Sequence, residues 1–152
     1  MILSDRTLRN ISPLIVNPFH ERTKFKGMTY GLGAAGYDVR IAQDVWVWKP
    51  LSLQLASTLE HFIMPNDVLA QVCDKSTWVR RGVYVHNTVI EPGWCGVLTL
   101  EIASNSWKPI KIEKGSPIAQ IIFFQLDQET SQPYRGKYQH QPAGPQKAIL
   151  EA

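Results

Sequence analysis

Apolar and polar residues alternate in short runs over most of the chain, and turn-forming residues separate the runs. Many short strands at spacings of about ten residues are typical of a β-sandwich, jelly roll or barrel. The runs are Tyr37–Ile41, Val45–Trp48, Leu51–Ala56, His61–Met64, Val68–Cys73, Val83–His86, Val97–Ala103, Ile110–Ile112 and Ile118–Leu126. The pattern therefore predicts an all-β protein.

The two ends of the chain interrupt this pattern. A short helix that is capped by Ser4 or Asp5 and stops before Pro13 is expected at the N-terminus. Residues 17–36 are rich in Pro, Gly and Lys and are expected to be irregular. The polar tail after Pro133 is expected to be an extended arm and not a packed element.

Length and composition indicate a soluble, single-domain protein that spans residues 1–152. The net charge of +3 suits a polyanionic small ligand, but the basic residues are too scattered to predict nucleic-acid binding. No signal peptide follows Met1, and no apolar run approaches the roughly 18 residues of a membrane span. We therefore expect a cytoplasmic protein without a membrane or nucleic-acid partner.

The chain lacks the zinc-site pattern of the zinc-dependent cytidine deaminases, in which a Glu near a His or Cys ligand precedes Pro-Cys-x-x-Cys. Cys73 and Cys95 are expected to be reduced thiols in or near the core. The histidines show no metal-ligand spacing and are expected to be surface or hydrogen-bonded residues. No protein-bound metal is predicted.

The first segment that could carry chemistry is Asp74–Gly82, in which residues 75–77 stand where a strand gives way to a short helical turn, predicted over Ser76–Arg81. Lys75 and the hydroxyl groups beside it could bind a phosphate. The alternative is ordinary helix capping by Ser76 or Thr77.

The second segment is Val89–Ile102, which is expected to form a hairpin with a Pro-Gly turn. Alternation places Glu101 on the strand face opposite to Leu100 and Ile102. A carboxylate within an apolar strand is costly to bury unless it is paired. It is therefore either bonded to an Arg or a tuned acid/base, and the residues alone leave both readings open.

Together the segments resemble the dCTP deaminase and dUTPase superfamily, and its deaminase branch in particular. They occur in order, at nearly the family's spacing, over almost the whole chain. They are Met1–Asp5, Ala35–Arg40, Lys75–Gly82, Ile90–Trp94 with Leu98–Glu101, Gly115–Gln120 and Pro133–Gln141. The resemblance implies a distorted β-barrel or jelly-roll-like subunit of the dUTPase type, with a short N-terminal helix, in a homotrimer with shared active sites.

The resemblance also implies metal-free hydrolytic deamination of a deoxycytidine nucleotide, with dCTP converted to dUTP and ammonia. Glu101 would act as general base and then as general acid, because one carboxylate with a raised pKa can do both in turn. Ser76 and Arg80 would hold the water and stabilise charge near C4 of the base. Mg²⁺ would be bound with the triphosphate and would only neutralise its charge.

The resemblance further implies which residues bind the nucleotide. Residues 75–77 would reach the phosphates from a neighbouring subunit, the 87–90 hairpin would read the base, and the arm at 133–152 would close over the nucleotide. The expected residues are Lys75, Ser76, Thr77, Asn87, Thr88, Val89, Glu91, Gln120, Tyr134, Lys137 and Gln141.

Three departures from the family pattern narrow these expectations. Lys75 replaces the usual Arg and lacks its bidentate fork. Glu91 replaces the Asp that positions the hydrolytic water in dUTPases. The stretch Gly82–Ile90, which lies beside the base, is shorter than in the family pattern. The alternatives are a dUTPase or bifunctional deaminase-diphosphatase, dCMP or a 5-substituted cytosine nucleotide as substrate, and a non-catalytic nucleotide sensor.

Overall fold

The computed structural model of the chain describes residues 1–49 and 53–151. Its helices are α1 (Asp5–Ile15) and α2 (Ser76–Val79). Its strands are β1 (Val16–Asn17), β2 (Thr23–Phe25), β3 (Met28–Leu32), β4 (Tyr37–Arg40), β5 (Val45–Val47), β6 (Leu53–Ile63), β7 (Val68–Asp74), β8 (Val83–Val85), β9 (Val89–Ile90), β10 (Cys95–Ser104), β11 (Ile110–Ile112) and β12 (Pro117–Gln125). The prediction of an all-β protein with a short N-terminal helix is confirmed.

The strands within these ranges form a six-stranded sheet in the order β2-β3-β4-β12-β7-β9, a four-stranded sheet in the order β1-β6-β10-β8, and the pair β11-β5. The apolar faces of the strands supply one cluster of buried side chains, to which helix α1 contributes Leu8 and Ile15. The central strands β12, β7, β6 and β10 largely alternate between buried and half-buried positions, apart from one run of three buried residues in each of β12, β6 and β10. That period of two is the pattern expected for strands with one face on a core.

Strand β6 runs without a break through a segment where the sequence predicts the end of one strand and the start of another. The first predicted strand begins at Leu51, which lies outside the described residues. The polar stretch after Ala56 stays in the strand because its polar atoms have partners. Ser57 donates its backbone N–H to the Gln43 side chain, and the Thr58 hydroxyl donates to the carbonyl of Glu60.

Residues 17–36 are more regular than the sequence predicts, because β2 and β3 form a hairpin there. Its two-residue turn places Lys26 at φ 47° and Gly27 at φ 84°. Positive φ at both central residues matches the right-handed twist of the flanking strands. Helix α1 is also longer than predicted, since it continues past position 13 to Ile15.

The predicted hairpin over Val89–Ile102 is wrong in its pairing. Strand β9 pairs with β7, whereas β10 pairs with β6 and β8. The Pro-Gly turn itself is present, since Trp94 donates its N–H to the carbonyl of Glu91 and Gly93 has φ 80°. This turn carries the chain from β9 in the six-stranded sheet to β10 in the four-stranded sheet.

Candidate active site

A cavity of about 480 Å³ lies beside β6 and β10, between β9 and the C-terminal tail. Its wall is mostly apolar, and the titratable side chains on it are two carboxylates, two tyrosines and one lysine. The lining residues are Leu53, Leu55, Thr88, Val89, Ile90, Glu91, Trp94, Leu98, Thr99, Glu101, Tyr134, Tyr138, Gln141, Gln146, Lys147 and Ala148. The cavity therefore combines a low-polarity wall with a few ionisable groups, as small-molecule sites do.

Strand β10 sets the face on which the cavity residues stand. Glu101 and Thr99 share the face that the alternation predicts, and both line the cavity. The pairing of β10 with β6 shifts register between Val97 and Thr99. A bulge of this kind re-aims one side chain, so Leu98 also reaches the cavity. The bulge thereby adds an apolar group to the cavity wall.

The Glu101 carboxylate is half-buried, and its Oε2 atom is buried without a hydrogen-bond partner among the described residues. Burial raises the pKa of Glu101, against smaller lowering contributions from its own backbone N–H and from the charge of His86. A carboxyl group that is desolvated in this way keeps its proton to higher pH than a surface Glu. It is therefore a stronger proton acceptor than a surface Glu.

A second carboxylate, Glu60 on β6, shows what the structural alternative looks like. It is fully buried, and Arg40 donates to its two oxygens from Nε at 2.8 Å and from the backbone N–H at 2.9 Å. The Arg40 guanidinium also lies 4.6 Å from the centre of the Tyr30 ring. The sequence left open whether Glu101 is bonded to an Arg. In the structure it is Glu60 that forms such an ion pair.

The first part of the C-terminal tail packs against the start of β10, so the prediction of an extended, unpacked arm is wrong for Tyr134–Gln141. Trp94 Nε1 donates to the carbonyl of Tyr138 at 2.7 Å, and the backbone N–H of Cys95 donates to the Gln139 side chain at 2.7 Å. Val97 donates its N–H to the carbonyl of Gln141 at 2.9 Å. These bonds hold the tail on the cavity rim through the Trp94 indole and two backbone N–H groups at the start of β10.

The end of the tail then passes over the cavity. The backbone N–H of Gln146 donates to Thr99 Oγ1 at 3.0 Å, and that of Ile149 donates to the Tyr138 hydroxyl at 3.0 Å. Residues 146–148 line the cavity. The resemblance implied only that the arm at 133–152 covers the nucleotide. It named no site residue after Gln141, because the polar segment after Pro142 carries no motif.

The segment after β7 lies apart from this cavity in the single subunit. Lys75 Nζ donates to Asp38 Oδ2 at 2.6 Å, and burial raises the pKa of Asp38 against the opposing effect of Lys75. Lys75 is the N-cap residue of α2, with no side-chain capping bond, so the capping alternative for Ser76 and Thr77 is wrong. Ser76, Thr77 and Arg80 are exposed.

The expected nucleotide-binding residues consequently divide into two groups. Five of them line the Glu101 cavity: Thr88, Val89, Glu91, Tyr134 and Gln141. Six others are not among its lining residues: Lys75, Ser76, Thr77, Asn87, Gln120 and Lys137. Gln120 pairs in register with Asp38 across β12 and β4, and so belongs to the Lys75 side of the molecule.

Within residues 1–49 and 53–151, no three His, Cys, Asp or Glu side chains come together in a way that could hold a metal ion. Cys73 and Cys95 are free thiols and half-buried, and Cys95 Sγ lies 3.7 Å from His61 Nε2. No helix in the described part of the chain is long and apolar enough to cross a membrane.

Comparison with known proteins places these features in a family. A family model described as dCTP deaminase-like matches residues 28–126. The chain is 34% identical to the dCTP deaminase of Campylobacter fetus subsp. fetus (strain 82-40) over 172 aligned positions, which cover 91% of this chain and 92% of that protein. The 172 aligned positions exceed the 152 residues of this chain. Some of these positions are therefore residues of the relative that have no counterpart here.

The fold is shared with solved structures of both branches. The 2'-deoxycytidine 5'-triphosphate deaminase of Agrobacterium tumefaciens superposes with a TM-score of 0.61 at 17% identity, over 80% of this chain and 47% of that chain. This chain thus spans about half the length of that deaminase chain. The EIAV dUTPase superposes with a TM-score of 0.58 at 20% identity, over 81% of this chain and 97% of that one. The sequence match over more than half of its length shows that the chain belongs to the dCTP deaminase-like family.

Proposed function

We propose that this chain hydrolytically deaminates dCTP to dUTP and ammonia, and that Glu101 carries the protons. The observation that supports this most directly is the buried, unpartnered Oε2 of Glu101 at the cavity, together with the raised pKa of the carboxyl group. The deaminase name of the relatives supports the choice of reaction.

The proposed chemistry uses Glu101 twice. The carboxylate takes a proton from water while the oxygen adds to C4 of the cytosine ring, and the same proton passes to N3. Glu101 then moves the proton of the new C4 hydroxyl to the amino group. The C4–N bond breaks, ammonia leaves, and the carboxylate is regenerated, so water and cytosine give uracil and ammonia. A general acid/base works best when its pKa lies near the operating pH, and burial raises the pKa of Glu101 in that direction.

We infer that the active site is completed by a neighbouring subunit of a homotrimer. Within the described part of the chain, Lys147 is the one cationic side chain on the cavity wall, which also carries Glu91 and Glu101. A triphosphate needs more positive charge than this wall offers. Exposed Ser76 and Arg80 are free to enter the cavity of a neighbour, where Ser76 would hold the water and Arg80 would stabilise charge at C4.

The remaining nucleotide contacts follow from the same arrangement. We propose that Thr88, Val89 and Glu91, with Asn87 beside them, contact the base and deoxyribose. Tyr134 and Gln141, with exposed Lys137, would close over the triphosphate as part of the 133–152 arm. On the neighbouring subunit, Lys75, Thr77 and Gln120 would face the phosphates. The Lys75–Asp38 ion pair limits how far Lys75 can reach.

Mg²⁺ enters this proposal as part of the nucleotide substrate. The described residues form no cluster of carboxylate and imidazole groups that would bind the ion without phosphate oxygens. Mg²⁺ prefers a shell of phosphate and water oxygens with few protein ligands, so its expected contribution is to neutralise the triphosphate. The enzyme would act on the cytoplasmic nucleotide pool.

The decisive experiment measures two products separately. The purified protein is incubated with dCTP, dCMP, 5-methyl-dCTP or dUTP in the presence of Mg²⁺, and ammonia and diphosphate are quantified. Ammonia from dCTP without diphosphate is expected. Diphosphate from dUTP without ammonia would instead identify a dUTPase, and ammonia together with diphosphate from dCTP would identify a bifunctional enzyme.

The role of Glu101 is tested by Glu101→Gln. The variant should fold, assemble and bind nucleotide, but its ammonia release should fall by a factor of about 100 or more, as expected for loss of a general acid/base. Glu129→Gln is the matched control, because Glu129 is exposed and lies outside the cavity. Full turnover by Glu101→Gln would rule out Glu101 as the proton carrier.

A further inference from the structure

An exposed histidine stands beside Glu101 at the open edge of the four-stranded sheet. His86 follows β8, which is the edge strand next to β10. Val85 pairs with Ile102, and the backbone N–H of His86 donates to the carbonyl of Glu101 at 2.9 Å. The next register position therefore sets His86 opposite Glu101. Opposed residues of an antiparallel pair project to the same face, with Cα atoms about 5.5 Å apart when hydrogen-bonded.

The other neighbour of Glu101 in this row is apolar. Leu55 on β6 pairs with Glu101 and lines the cavity with it. The row therefore runs across β6, β10 and the end of β8. It consists of Leu55 at the cavity wall, Glu101 in the middle and His86 at the solvent-exposed edge. Leu55 keeps water from one side of the carboxylate, while His86 offers an ionisable group that exchanges protons with solvent on the other side.

The remaining ionisable groups that face the cavity come from two other elements. Glu91 follows β9, whereas Tyr134, Tyr138 and Lys147 belong to the tail. Glu91 and Lys147 are exposed and opposite in charge, so solvent screens both and their effects on Glu101 oppose each other. His86 differs from these groups because its strand is hydrogen-bonded directly to the strand of Glu101.

We propose that His86 is a positioning residue for the deamination: its protonated imidazole stabilises the carboxylate form of Glu101 and so extends the reaction to lower pH. This inference rests on the proposed function. An imidazole is the side chain that can gain a positive charge near neutral pH. A cation beside a carboxylate favours the charged form of that carboxylate.

The test compares His86→Asn and His86→Lys with the wild type by ¹³C NMR titration of the side-chain carboxyl carbons. The Glu101 signal is assigned as the one missing from Glu101→Gln. His86→Asn should raise the Glu101 midpoint by about half a pH unit, the size expected for a partly exposed pair. His86→Lys keeps a positive charge and should leave the midpoint at or below the wild-type value.

His140→Asn is the matched control, because His140 is exposed, lies outside the cavity lining and has φ 60°, which Asn tolerates. It removes the same charge and should leave the Glu101 midpoint unchanged. An unshifted midpoint in His86→Asn, or an equal rise in both His86 variants, would overturn the proposal.

The pH profile of ammonia release from dCTP supplies the second readout. The acid limb of kcat/KM should move to higher pH in His86→Asn and return in His86→Lys, so the loss of rate in His86→Asn should shrink as the pH rises. A merely structural histidine would lower the rate at every pH. If the wild type releases no ammonia from dCTP, the proposed function fails, while the NMR titration still decides whether His86 controls the charge of Glu101.

Discussion

Replacing Glu101 with glutamine should stabilise the folded protein while it abolishes turnover. A buried group without a partner costs about 1–3 kcal/mol when it is neutral and more when it is charged. Glutamine leaves a polar group in the place of Oε2, so the substitution removes only the extra cost of the charge, and the residue is only half-buried. Solvent screening therefore favours the lower end, a gain of about 1 kcal/mol in the free energy of unfolding. For a domain of about 150 residues this corresponds to a rise of about 2–4 °C in Tm.

The gain should depend on pH, with a sign that the raised pKa of Glu101 fixes. The folded state holds the Glu101 proton more tightly than the unfolded chain does. The wild type therefore loses stability as the pH rises from the pKa of Glu in the unfolded chain to the higher pKa of Glu101 in the folded protein. Below about pH 4, where both states are protonated, Glu101→Gln and the wild type should melt alike. At pH values above the pKa of Glu101 in the folded protein, the full difference in the free energy of unfolding between Glu101→Gln and the wild type should appear.

Thermal melting of both proteins at one fixed protein concentration, from pH 4 to pH 8 and without nucleotide, measures this difference. Glu129→Gln, which removes an exposed carboxylate, should melt like the wild type throughout. A Glu101→Gln variant that is less stable than the wild type at pH 8, or whose advantage grows towards pH 4, would refute the view that Glu101 is held in a desolvated site.

Three further changes test other parts of the structure. Arg40→Ala leaves the buried Glu60 carboxylate uncompensated and should lower the free energy of unfolding by about 3–5 kcal/mol in urea titrations; an effect below about 1 kcal/mol would contradict the buried pair. Thr99→Val removes the acceptor for the Gln146 N–H and should speed hydrogen exchange at that amide at least several-fold, while the core amides stay protected. A Cβ at Gly96 would lie 2.7 Å from the tail backbone, so Gly96→Ala should expose the tail to limited proteolysis; unchanged cleavage would argue against tail docking.

Local patterns in the sequence predicted much of this fold. The alternation of apolar residues fixed most strand positions, because a side-chain period of two follows from strand geometry alone. The same alternation placed Glu101 on the face opposite to Leu100, and the structure has it there. The motif order was enough to identify the family, which the comparisons confirm.

The partners of these residues depend on contacts between distant parts of the chain. The structure places Glu60 and Glu101 alike within strands, although the sequence predicts a strand only around Glu101. Only the fold brings Arg40 to Glu60 and leaves Oε2 of Glu101 without a partner. For the same reason, the sequence did not reveal that Lys75 is bound to Asp38.

Strand pairing and tail docking were likewise decided by tertiary structure. The Pro-Gly turn predicted a local hairpin, but β9 buries Ile90 by pairing with β7 in the other sheet. The tail contains few apolar residues, so its pattern predicts no packing, yet free backbone groups at the start of β10 hold it in place. Hydrogen-bond partners of this kind carry no periodic signal, which is why the cavity wall at residues 146–148 emerges only from the folded chain.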